Sequence, residues 1–126
     1  MKKRKKPKSV LPRSLKHFRD AGFIVHKTEH WNAFAKRRID CFGFGDLLVA
    51  GPVFGLIALV QVTTTANLAA RRKKAMAIPA LRIWLASGGR FLLHGWSKRG
   101  PRGKRKRWEL TQQEIKLSDL EASDGK

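Results

Sequence analysis

An aspartate opens one apolar run of this chain, and a glutamine stands near the end of the next, in "DLLVAGPVFGLIALVQVTTT", Asp46 to Thr65. The Gly51-Pro52 pair predicts a turn between two strands. An antiparallel return over that turn sets Asp46 beside Gln61. Side chains alternate along a strand with period two, so Thr63 shares the face of Gln61. A carboxylate and an amide oxygen at a sheet edge facing a basic groove are hard donors suited to a divalent cation, or polar groups that face a phosphate. Asp46 and Gln61 are therefore the expected metal-binding pair. The structural alternative is a turn aspartate and a strand amide satisfied by the backbone, and the sequence leaves both open.

Other constellations carry less. His26 and His30 share a face if "FIVHKTEHW" is one strand, and Cys41 follows, but their spacing fits no usual zinc finger or ribbon. His94 and Asp40 would complete a nucleophilic triad only with an activated Ser or Cys, and there is no G-x-S-x-G elbow. "GFG" at 43–45 and "SGG" at 87–89 lack the layout of a phosphate loop and read as turns.

Charge names the partner class. The formal net charge of the 126-residue chain is +19. Six basic side chains lie in residues 2–8, "KKRKKPK", and seven in residues 98–107, "KRGPRGKRKR", with no acid in either. Basic side chains that neutralise phosphates release condensed counterions, so a polyanion is expected and a small-molecule substrate is not. In the second stretch Gly and Pro oppose a helix, and Lys98, Arg99, Arg102, Lys104, Arg105, Lys106 and Arg107 form a loop able to track a phosphate backbone. Arg71, Arg72, Lys73 and Lys74 add a basic helical turn that faces DNA or solvent. Trp96 and Trp108 flank the loop, as a cross-strand pair or as a platform for an unpaired base. The sixteen residues Leu47–Val62 are too short and too interrupted for a membrane span, so no membrane partner is expected. A single cysteine and no apolar segment behind the basic start point to a reducing, cytoplasmic setting.

The elements that must position these residues follow from pattern. Residues 1–10 have nothing to bury and read as a disordered basic arm. "LPRSLKHFRDAGF" spaces Leu11, Leu15 and Phe18 for a helix, with Pro12 in its first turn and Gly22 as its stop. "FIVHKTEHW" reads as one strand, "NAFAKRRIDCFGFG" as an irregular connection, and "DLLVA" and "GLIALVQVT" as adjacent strands of a covered sheet. "TTANLAARRKKAMAI" and "PALRIWLAS" read as helices, and "RFLLHGW" and "RWELTQQEIKL" as strands around the basic loop. The domain runs over 11–117, and 118–126 is a polar, frayed tail. The fold class is α/β, a mixed central β-sheet flanked by helices.

The succession "LKHFRDAGFIVHK", "GFGDLLVAG", "GLIALVQVTT" resembles the PD-(D/E)XK nucleases, especially the small archaeal-type Holliday junction resolvases, over roughly residues 12–75. It is also similar to small phage proteins with "QVT" in place of Glu-X-Lys, followed by "HGW" and a basic stretch. The resemblance implies a restriction-endonuclease-like core and metal-dependent endonuclease activity on DNA, branched in the resolvases. It further implies a homodimer, in a bacterial or phage-infected cell. On this reading Asp46 takes the metal-binding aspartate position, Gln61 that of the glutamate and Thr63 that of the lysine, and no glutamate stands in residues 12–16. Glu29 is the candidate second carboxylate, and Arg71, Arg72, Lys73 or Lys74 the candidate substitute cation. The alternative is a catalytically inactive nuclease-fold protein that binds or condenses nucleic acid.

Overall fold

The computed structural model describes residues 10–51, 56–100, 103 and 105–124. Residues 1–9 of the expected arm, Pro52 of the expected turn, and Arg102 and Lys104 of the basic loop lie outside these.

Helix α1 (Leu11–Asp20) starts with proline in its first turn and ends as a Schellman motif. Gly22 takes φ +88°, its N–H donates to Arg19 C=O, and the Phe23 N–H donates to Phe18 C=O at 3.0 Å. The Phe18 and Phe23 rings meet edge-on at 5.3 Å, the apolar contact that accompanies such a cap. Gly22 stops the helix as its sequence position predicts.

A five-stranded mixed sheet has the order β1-β4-β5-β6-β7. Its strands are β1 (Ile24–Lys27), β4 (Leu47–Ala50), β5 (Ile57–Thr64), β6 (Arg90–Arg99) and β7 (Arg107–Ile115). Only β5 and β6 run parallel, as the intervening helices α2 (Leu68–Met76) and α3 (Pro79–Ala86) require. On one face α1 buries Leu11 and Phe18 against Leu47, Val49, Ala58, Val60 and Leu92. On the other, Leu68, Ala75 and Leu81 of α2 and α3 pack on Leu59, Phe91 and Leu93. Both faces of β5 are covered from Ala58 on, which is why "ALV" (58–60) is continuously apolar. The mixed α/β architecture is the expected one. Among the described residues no helix is long and apolar enough to cross a membrane.

The segment 23–31 is not one strand. The N–H groups of Thr28 and Glu29 both donate to Asp46 C=O, at 2.9 and 3.2 Å, so the chain leaves the ladder after Lys27. It then forms a separate antiparallel hairpin of β2 (His30–Asn32) and β3 (Arg37–Ile39), within the stretch expected to be irregular. His26 and His30 consequently sit in different sheets. The tail also differs. Helix α4 (Leu117–Asp124) buries Leu120 in the core beneath α2 and α3. The Asp119 carboxylate accepts the Lys116 N–H at 2.8 Å and so caps the start of α4.

Candidate metal and nucleic-acid site

Asp46 immediately precedes β4. Its N–H donates to Val60 C=O at 2.8 Å, and its Oδ2 accepts the Val62 N–H at 2.9 Å. The side chain thus extends the β4–β5 ladder one step past the end of β4. The antiparallel pairing of Leu47 with Val60 continues to place Asp46 opposite Gln61. The structural alternative therefore accounts for one carboxylate oxygen, while the residue still lines an open cleft of about 370 Å³.

Gln61 is 7% exposed, and its amide makes no hydrogen bond among the described residues. The amide opens onto the cleft and is free to take a partner there. Glu29, Asp40, Arg71 and Lys74 complete the polar lining. Arg71 and Lys74 are three apart on α2 and share its cleft-facing side. Arg72 instead reaches Asp119 of α4 at 3.7 Å, and Lys73 is exposed. Of the candidate carboxylate and cations, Glu29, Arg71 and Lys74 line the cleft. Thr63 is buried, stands opposite Gly95 of β6, and is not among the lining residues.

Asp40, weighed from sequence only as a partner for His94, is a further member of the cleft. A turn at Cys41–Gly45 returns it to the cleft. The Cys41 N–H donates to Gly45 C=O at 2.7 Å and the Gly45 N–H to Cys41 C=O at 2.8 Å, with Phe42 and Gly43 at φ +56° and +89°. A side chain at Gly45 would crowd the core, because a Cβ there would lie 2.8 Å from Leu59 Cδ2 and force that side chain to shift. The available signal was two aspartates flanking "CFGFG", a hairpin-length spacing.

Crowding three carboxylates against two cations sets the electrostatics. Burial pushes Asp46 up to about 6; the Val62 N–H opposes this, Glu29 and Asp40 add to it, and Arg71 opposes it. Asp40 also moves up, through burial, and Lys74 and Arg71 counteract. Among the described residues no three His, Cys, Asp or Glu side chains close into a metal-holding group. Mg²⁺ needs fewer protein ligands, since it takes one or two carboxylates plus waters and substrate phosphates. The oxygens of Asp46, Gln61 and Glu29 or Asp40 fit that requirement.

Topology brings the basic elements to the same end of the sheet. The carboxyl end of β5, the start of β4, the β2–β3 hairpin and the β6–β7 turn all lie there. Strands β6 and β7 run on past the cleft, carrying exposed Lys98, Arg99 and Arg107, with Arg105 and Lys106 exposed in the turn. Trp96 stands across from Leu110, and Trp108 from Lys98, so the two tryptophans are not directly opposed. Arg13 covers the Trp108 ring at 4.0 Å. Trp96 instead donates its Nε1–H to Ser14 on the α1 face.

His94 is buried on that same α1 face, away from Asp40 in the cleft. Ser14 accepts from Trp96 and donates to His94 Nδ1 at 2.8 Å; His94 Nε2–H donates to Gln112 Oε1 at 2.8 Å. Burial pushes His94 down to about 4, keeping it neutral. The network is a structural clamp between α1 and the β6–β7 pair, closed to substrate.

Compared with known proteins, the chain matches no family model, no curated protein and no solved structure.

Proposed function

We propose that this protein is a Mg²⁺- or Mn²⁺-dependent DNA endonuclease of the PD-(D/E)XK type, acting on branched DNA in a bacterial or phage-infected cell. The observation that carries this reading is the cleft itself. Asp46 and unpartnered Gln61 stand side by side, with two more carboxylates and two cations around them, at the basic end of the sheet. Asp46 and the Gln61 Oε1 would hold the metal, and Glu29 or Asp40 would supply the second carboxylate. When bound, the metal polarises the scissile phosphodiester and lowers the pKa of an attacking water. Lys74 and Arg71 take the role of the ammonium that Thr63 lacks: they offset charge on the phosphate and orient it. The β6–β7 turn and the N-terminal segment hold the duplex arms. A homodimer would place one cleft on each of two opposed strands of a junction.

The test is incubation of labelled four-way junction and linear duplex with Mg²⁺ or Mn²⁺, with a chelated control. Metal-dependent cutting is expected. At subsaturating metal its rate should fall as the pH drops below about 6, because the proton then competes with the metal for Asp46, whose pKa burial raises to about 6. Tight binding without cutting under any metal favours the second reading, a nuclease-fold protein that binds DNA without chemistry. The neutral Gln61 and the lack of three closed acidic or imidazole ligands among the described residues favour that alternative.

A further inference from the structure

The β2–β3 hairpin has no part in the core. Among the described residues it pairs only with itself, and a two-stranded hairpin alone is marginal in water. Its base is anchored to the cleft: β2 begins directly after Glu29, and β3 ends directly before Asp40. Thr28 fastens it further, its Oγ1 donating to Gly45 C=O at 2.7 Å. The four-residue tip, Ala33 to Lys36, is held by Asn32 Oδ1 accepting the Ala35 N–H at 3.0 Å. At that tip Phe34 stands fully exposed between two alanines, and Trp31 on β2 is 60% exposed. Lys36 and Arg37 beside them are exposed cations. An aromatic side chain in water on a tethered, cation-flanked turn does nothing for the fold.

We propose that this hairpin is a base-stacking element, with Phe34 lying on an unpaired or unstacked base of the DNA bound at the cleft. The inference rests on the DNA-nuclease reading and adds to it the origin of structure preference. Charge selects the occupant, since Lys36 and Arg37 suit a phosphate backbone and the adjoining β6–β7 end is basic. At a strand rise of about 3.3 Å per residue, the tip reaches about 10–15 Å from the carboxylates, or three to four nucleotides along one strand. Phe34 therefore meets the DNA close to the scissile phosphate but outside the chemistry. A continuous duplex offers it no open base face, whereas a junction, bulge or gap does.

The experiment is fluorescence anisotropy of the full chain, in chelator, on a continuous duplex and on the same duplex with a one-nucleotide bulge containing 2-aminopurine. Phe34→Ala should weaken bulge binding roughly 5- to 100-fold, the range for losing one aromatic–base stack, and leave continuous-duplex binding within about twofold. Phe34→Trp should keep bulge affinity and 2-aminopurine quenching. Thermal midpoints of both variants should match the parent, because the side chain is solvent-exposed. Equal affinity of parent and Phe34→Ala for the bulge overturns the inference while leaving the nuclease reading intact. A Phe34→Ala variant that changes oligomeric state with quenching unaltered also overturns it, because the tip then serves a second copy of the chain. Failure of the parent to bind either DNA overturns both readings.

Discussion

Asp46→Asn should raise the stability of the metal-free protein at pH 7.5 by about 3 kcal/mol while abolishing cleavage. Its folded-state pKa of about 6 lies above the ordinary 3.8 because burial penalises the charge. Between pH 4 and 6 the folded chain holds a proton that the unfolded chain has released. Stability therefore falls as pH rises through this window, and the full cost of about 3 kcal/mol persists above pH 6. His94 has the opposite sign. Its folded pKa is about 4 against 6.5, so the unfolded chain binds the extra proton, and stability rises with pH up to about 6.5. The two slopes oppose each other over much the same range, and their sum in the parent protein is nearly flat. Asparagine still accepts the Val62 N–H, so the β4–β5 ladder is kept and one slope is removed. The melting temperature should rise roughly 10 °C at pH 7.5 in chelator, with little gain at pH 4. Denaturation curves at both pH values check this. A variant less stable at pH 7.5 would show that the ionised Asp46–Val62 hydrogen bond outweighs the burial penalty. A stabilised but inactive variant is the mark of a residue held at a functional site against the fold's own preference.

Ser14→Ala should do the reverse. Ser14 is fully buried and serves two partners, accepting from Trp96 Nε1–H and donating to His94 Nδ1, both at 2.8 Å. Alanine leaves a buried donor and a buried acceptor unpaired. That costs about 2–4 kcal/mol and lowers the melting temperature by roughly 10 °C. Cleavage per folded molecule should be unchanged, since the network lies on the α1 face and the cleft on the α2 face. Thermal melts and cleavage rates at a temperature where the variant is folded test both halves. A hundredfold loss of rate with the fold intact would place the chemistry on the Ser14–His94 pair instead.

Part of the site was legible: two apolar runs around Gly51-Pro52 give adjacent antiparallel strands β4 and β5, and Arg71 and Lys74 follow from helical spacing after Thr65. The register that sets Asp46 opposite Gln61 was not, because Ala50 pairs with Ile57 across a six-residue connection, 51–56, and a two-residue turn at Gly51-Pro52 would have set Asp46 opposite Ile57. Asp40 was not legible, because its return depends on Phe42 adopting φ +56°, which no non-glycine residue type announces. Strands β2 and β3 have three residues each, too few for periodicity to register. The break at Thr28 comes from the Asp46 carbonyl, eighteen residues downstream, a tertiary cause. Helix α4 shows little apolar pattern beyond Leu117 and Leu120, and its signal was the Lys116–Asp119 cap. The tryptophans are offset because the β6–β7 register places Lys98, not Trp96, across from Trp108.

On the proposed reading the Asp46–Gln61 cleft is the chemical centre and the basic end of the sheet the grip. Asp46→Ala, compared with the parent on labelled four-way junction in Mg²⁺, tests it most directly when cutting and binding are measured on the same samples. Cutting should fall about 10³-fold or more, as removal of a metal-holding charge implies, with binding within a fewfold of the parent. Undiminished cutting by Asp46→Ala would contradict it, and would move the chemistry out of this cleft.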